Sequence, residues 1–250
     1  MNDAVLVERR DRILVITLNR PEARNAINGA ITRGIAEALE QLDGTDDLSV
    51  GVLAASGECF CAGMDLREFG ESGPPRGLAR LLRAGSRKPL VGAIEGHALG
   101  GGFELALLCD LLVASRTAQL AIPEATLGLV AAGGGLLRLP RHLPYALTAH
   151  LAFTGEPISA ELAHRHGLVG RLSDPGHALT DALQLAERVA RSAPRALVVS
   201  KQLLRDAYGR TEVEFWEHQG PQVEEVFGSE DAREGASAFA QRRLPRWSGN

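Results

Sequence analysis

Residues 96–129 read GHALGGGFELALLCDLLVASRTAQLAIPEATLGL, and the fold turns on how this stretch is interpreted. Gly100, Gly101 and Gly102 lead into an apolar segment that carries one carboxylate, Glu104, and a second, Glu124, follows Pro123. Phe103, Leu105, Ala106 and Leu107 flank Glu104, so a solvated helix position suits it poorly. Glu124 also reads as an ordinary acidic residue at a helix start. A glycine turn beside two isolated acids in an apolar setting supplies the residue types that acid/base chemistry requires.

Outward from this centre the sequence alternates between strand and helix. Residues 5–8 and 13–18 have strand patterning, with a charged turn over 9–12. Asn28 is placed to cap a helix whose apolar face is Ile31, Ile35, Ala38, Leu39 and Leu42. A buried strand over 49–55 follows, then a helix over 78–86, a strand over 90–94, a helix over 101–109, a strand over 111–114 and a short strand near 119–121. The alternation recurs at roughly 40–50 residues, the size of a ββα unit, without a sequence repeat. Residues 71–77, ESGPPRG, form a Gly/Pro-rich loop. Beyond about residue 140 the strand patterns nearly vanish. Helices are expected over 144–153, 159–166, 175–192, 194–207 and 213–227, with Ser159 as a cap and Gly167 as a stop. The division is an α/β core over 1–190 and a helical region over 191–250.

Composition excludes several function classes. The chain has 250 residues, 45% of them hydrophobic, and a formal net charge of −4, which argues against a general phosphate-backbone binder. Aromatic residues make up only 4%, too few for base-stacking platforms, so no nucleic-acid partner is expected. No apolar run approaches the ~18 residues of a membrane span, and the N-terminus has no signal-peptide pattern. Cys59, Cys61 and Cys109 form no metal-ligand set and read as core thiols of a reducing compartment, so no metal is expected and the cytoplasm is.

A second glycine turn precedes the first. Residues 56–66, SGECFCAGMDL, leave a strand and enter a short helix, the place where α/β folds build sites. The amides of Met64 and Asp65 after Gly63 would suit an anion, while a plain turn capped by Asp65 explains the same residues. The 100–102 turn is no dinucleotide fingerprint, because Leu105 stands where its last glycine is required. A phosphate loop and a G-x-S-x-G nucleophile elbow are absent. What remains is a pair of glycine turns offering N–H donors, the raw material of an oxyanion hole.

In this setting SGECFCAGMDL and EGHALGGGFELAL resemble the enoyl-CoA hydratase/isomerase (crotonase) superfamily. So do LNRPEARNAIN at 18–28, IPEATLGLVAAGGGLLRLP at 122–140, FTGEPISAELAHRHGLVGRL at 153–172 and SEDAREGASAFAQRRLPRWSG at 229–249. The resemblance covers nearly the whole chain. It implies a spiral of ββα turns with a helical C-terminal trimerisation region, and a homotrimer or dimer of trimers.

Matched residue by residue, it puts oxyanion-hole amides on Met64 and Gly101 and the two acid/base glutamates on Glu104 and Glu124. Glu104 would activate water and Glu124 would serve mainly the C2 proton. Coenzyme A, part of the substrate rather than a cofactor, would run past Ala26, Ala62, Asp65 and Leu66, with Arg24 reaching a phosphate. His97, His164 and His166 match no catalytic position. The implied activity is hydration of trans-2-enoyl-CoA in fatty acid metabolism and β-oxidation. Rival readings are another reaction of the superfamily, an isomerase or a carnitinyl-CoA dehydratase-like lyase, and a non-catalytic acyl-CoA-binding protein. Two departures bear on acyl specificity: a short 64–101 span containing the 71–77 loop, and VAAGGGLLRL in place of the more usual P-x-x-G-G-T-Q-R-L wording.

Overall fold

The computed structural model describes residues 4–249. Its strands in chain order are β1 (Val5–Arg10), β2 (Ile13–Leu18), β3 (Val50–Ala55), β4 (Leu90–Ile94), β5 (His97–Leu99), β6 (Leu111–Ser115), β7 (Gln119–Ala121), β8 (Ile158–Ser159) and β9 (Arg171–Ser173). The helices that matter below are α1 (Gly29–Gly44), α2 (Leu66–Ser72), α3 (Leu78–Ala84), α4 (Gly101–Ala106), α5 (Gly135–Arg138), α6 (Tyr145–Thr154), α7 (Ala160–Arg165), α8 (Ala178–Ala190), α9 (Pro194–Asp206), α10 (Glu212–Phe227) and α11 (Glu230–Ala240).

Six strands make the main sheet in the order β1-β2-β3-β4-β6-β9. β1 is an antiparallel edge and the remaining pairings are parallel. Parallel strands covered on both faces are near-continuous apolar runs, and ILVITL, VGVLAA and LVGAI conform. Strand alternation divides their side chains between two cores. Leu14, Ile16, Leu18 and Leu53 meet Ile31, Ile35, Leu39 and Leu42 of α1. Ile13, Val15, Val50, Val52, Val91 and Val113 meet Ala182 and Ala186 of α8 on the other face.

β2, β3, β4 and β6 each hand over to a second, narrower layer. β5, β7 and β8 pair there, and the bridges Ile27↔Met64 and Cys61↔Ala98 continue the layer into the earlier turns. The chain thus winds as a ββα spiral whose turns begin at Ile13, Val50, Leu90 and Leu111. The expected spacing is approached in the first turns and shortens at the last, because α4 has only 6 residues. Asn28 caps α1 as read, its Oδ1 accepting from the Ile31 amide at 2.9 Å, and Ser159 caps α7.

Several boundaries differ from the sequence reading. β1 runs through Arg9 and Arg10, which pair with Leu14 and Ile13, so the turn is confined to Asp11 and Arg12. Charge is compatible with a strand there because this edge faces solvent. The 101–109 helix stops at Ala106: Leu108 and Cys109 bond back three residues, to Leu105 and Ala106, and tighten the chain into β6. An apolar run such as LALLCDLLV gives no periodicity that would mark this break. α3 ends at Ala84 and α8 begins only at Ala178. β8 and β9 lie where strand patterning fades, being too short to show a period.

α9, α10 and α11 are attached differently from the rest. α10 buries none of its residues. Lys201 of α9 reaches into the core, bonding Asp110 at 2.6 Å and the Lys88 carbonyl at 2.8 Å. At the C-terminus, Asp231 accepts from the Ser248 and Gly249 amides, and the Trp247 indole donates to the Arg191 carbonyl. Among the described residues no helix is long and apolar enough to cross a membrane.

Candidate active site

A cavity of about 660 Å³ opens between the spiral core and the α2–α3 segment. Met64, Gly101, Glu104 and Glu124 all line it, so four residues spread over three turns of the spiral face one space. The 64 and 101 loops meet through parallel bridging of Cys61 with Ala98. A Cβ built on Gly101 would stand 3.8 Å from Met64 N, and one on Gly63 would stand 3.7 Å from Gly101 N. Neither the Met64 nor the Gly101 amide has an acceptor among the described residues. Gly102 allows the approach: a Cβ there would lie 2.4 Å from the Cys61 carbonyl oxygen. The 56–66 loop is also held from the first turn. Asn25, fully buried at φ 55°, donates from Nδ2 to the Ser56 and Cys59 carbonyls at 2.9 and 2.8 Å.

Glu104 is 4% exposed on α4. Its Oε1 accepts from the Gly135 amide at 2.8 Å. Burial pushes its carboxyl above the ordinary range, against the opposing pull of the Gly135, Gly133 and Gly134 amides and the Arg138 charge. Glu124 sits on the one-turn helix Pro123–Leu127. Its Oε2 is buried with no hydrogen-bond partner among the described residues. Burial raises this carboxyl too, its own amide lowers it, and the nearby Glu104 raises it further. Two acids are thus set in unequal surroundings, one well supplied with donors and one not.

The residues expected along the coenzyme path divide. Ala62 and Leu66 line the cavity; Arg24, Ala26 and Asp65 do not. The Asp65 carboxylate is engaged with the Arg67 and Glu68 amides as the cap of α2 and with Arg20 at 3.2 Å. Arg24 is exposed at φ 50°, and its carbonyl accepts from the Ala62 amide at 3.0 Å, so its loop abuts the lining segment. The Ala26 carbonyl accepts from Arg20 at 2.7 Å. His97, His164 and His166 are exposed and do not line the cavity. Pro74, Pro75, Arg76 and Gly77 of the 71–77 loop do line it. Sequence reasoning missed the part played by Gly133, Gly134, Gly135 and Arg138 around Glu104. The visible signal was a second run of three glycines with an arginine three residues beyond it. No group of three or more His, Cys, Asp or Glu able to hold a metal occurs among the described residues.

A ββα spiral with a helical C-terminal region is the crotonase fold. The chain belongs to the enoyl-CoA hydratase/isomerase family, whose model matches residues 8–250. It is 37% identical to enoyl-CoA hydratase EchA19 of Mycobacterium tuberculosis, with 97% of this chain and 95% of that one aligned. It is 35% identical to carnitinyl-CoA dehydratase of Proteus mirabilis over 100% of both chains. The crystal structure of an enoyl-CoA hydratase from Mycobacterium tuberculosis H37Rv superposes with a TM-score of 0.95 at 48% identity, covering 99% of this chain and 100% of that one.

Proposed function

We propose that this protein is an enoyl-CoA hydratase that adds water reversibly across the 2,3 double bond of a trans-2-enoyl-CoA. One observation carries the reading: both carboxylates and both unpaired amides face the same cavity. In the proposed reaction the thioester oxygen sits against the Met64 and Gly101 N–H groups. Glu104, the better supplied with donors, is the ionised base. It takes a proton from water as the water oxygen bonds to C3, and the C2–C3 π electrons move onto the thioester as an enolate. The two amides bind that oxygen most strongly as its charge grows, and losing one such donor costs about 3–4 kcal/mol of barrier. Glu124, raised by burial and by Glu104, holds the proton that C2 receives. Glu104 then gives its proton to Glu124 through solvent, which restores both acids, so atoms and charge balance with water and the thioester alone and no cofactor enters this scheme.

The coenzyme follows Ala62 and Leu66, with Arg24, Ala26 and Asp65 beside that path. Division at 190/191, a homotrimer or dimer of trimers, and a cytoplasmic role in fatty acid β-oxidation belong to the same reading. The exposed Trp216, Phe227 and Phe239 support assembly through the C-terminal region. The rival lyase reading has support in the likeness to a carnitinyl-CoA dehydratase. Isomerisation needs one acid rather than two, and mere binding needs neither.

Loss of the enoyl absorbance of crotonyl-CoA and longer thioesters tests the proposal. Glu104→Gln and Glu124→Gln should each lower kcat by about two to four orders of magnitude with thioester binding retained. Normal hydration by both variants would falsify the carboxylate assignment. Tight binding without turnover by the unaltered protein favours the binding reading.

A further inference from the structure

The second glycine run lies between two charged side chains. On one side Glu104 presses against it. A Cβ on Gly133 would stand 2.5 Å from Glu104 Oε2 and 2.4 Å from Leu82 Cδ1, and one on Gly135 would stand 3.2 Å from Glu104 Oε1. On the other side stands Arg138, half-buried at the end of α5. Its Nη1 donates to the Gly133 carbonyl at 3.1 Å and its Nη2 to the Leu82 carbonyl at 2.6 Å. It makes no ion pair with a carboxylate among the described residues. A half-buried guanidinium whose bonds go to main-chain carbonyls fixes the position of that main chain. Here it ties the 133–135 turn to α3 while the Gly135 amide on the opposite side holds Glu104.

We propose that Arg138 is the positioning residue for Glu104: it pins the 133–135 turn so that the Gly135 amide meets the carboxylate. This rests on Glu104 being the base. The Arg138 charge acts to lower the Glu104 carboxyl and the Glu104 charge to raise the guanidinium, so the two side chains interact across the glycines. Glu124 faces Glu104, and Arg205 of α9 and Arg141 act on Arg138. The two arginines oppose the Arg138 charge, yet burial remains the largest influence on it.

The test separates positioning from bulk structure by pH. Arg138→Gln keeps an N–H donor without charge, and Arg138→Lys keeps charge but loses the fork. Without the cation Glu104 binds its proton more tightly. The acid limb of kcat/KM should therefore move to higher pH in Arg138→Gln, with about tenfold more activity lost at the foot of the limb than on its plateau. In Arg138→Lys the limb should coincide with that of the unaltered enzyme while kcat falls. A Gln limb that does not move, or a Lys limb that moves equally, overturns the proposal. Should the Gln chain not fold, the Lys variant decides alone: a moved limb or an unchanged kcat overturns it. The Glu104 carboxyl carbon resonance, assigned through its disappearance in Glu104→Gln, reports the same titration without turnover. If the unaltered protein hydrates no enoyl-CoA but this resonance titrates higher in Arg138→Gln, the positioning role stands and the hydratase reading falls.

Discussion

The spiral core and the C-terminal helices are held in opposite ways. In the core, apolar runs pair as strands and are covered on both faces, and the largest buried side chains, such as Phe60, Phe103 and Leu14, all lie there. In α9, α10 and α11 several large apolar residues are left outside: Leu204 is 72% exposed, Trp216 60%, Phe227 76% and Phe239 88%. α9 holds to the core by polar contacts of Lys201 with Asp110 and the Lys88 carbonyl, while Asp231 of α11 ties the chain end to the helical region itself. A core stabilised by area removed from water tolerates much; a region attached through a few desolvated charges depends on each one.

The largest effect that can break this contrast is expected at Lys201. Replacement by Met leaves the Asp110 carboxylate without its closest cation, and losing one partner of a buried pair costs about 3–5 kcal/mol. Arg205, 3.5 Å from the other Asp110 oxygen, softens the loss. Urea denaturation measures it, and adding Asp110→Asn should recover part. A Lys201→Met chain as stable as the parent would show that apolar packing holds α9 after all.

Next in size is the outward face of α10. Val213, Trp216 and Phe227 fall on one side of that helix at 100° per residue and are 68%, 60% and 76% exposed. Trp216→Glu with Phe227→Glu should keep the far-UV circular dichroism of the parent and abolish the proposed assembly in sedimentation, each site costing about 2 kcal/mol or more of association. Sedimentation identical to the parent's would mean that the exposed face is no interface.

The smallest effect lies in the core itself. The Glu104 and Glu124 carboxyls are both raised by burial. Their contribution to stability is complete below the unfolded carboxylate pKa and is lost as pH rises through the raised folded values. Glu104→Gln should therefore melt above the parent at pH 8 and with it at pH 4, at about 2–4 °C per kcal/mol in a chain of this size. The Gly135 donor works against the gain, since an amide side chain meets it less well than a carboxylate. A pH-independent difference would show that Glu104 is no more strained in the fold than free in water.

Much of this was legible in the chain. Strand-like ILVITL and the apolar face from Ile31 to Leu42 predict the first turn of the spiral, and Asn28 its helix start, because side-chain period and capping are local properties. Glu104 stood out for a local reason too, its apolar neighbours. The break after Ala106 did not, since LALLCDLLV suits buried helix and buried strand alike, and pairing with β4 settles it.

Local pattern therefore reaches the alternation of elements, the caps and the identity of two unusual acids. It could not reach the meeting of Met64, Gly101 and Glu124 around one cavity, nor the cradle of Gly133, Gly134, Gly135 and Arg138 about Glu104. Those depend on how successive turns of the spiral stack. That is set by parallel pairing between residues far apart in the chain and by which main-chain groups those pairings leave without a partner. Position along the chain carries no record of such distances, and they come into being only as the layers close on each other.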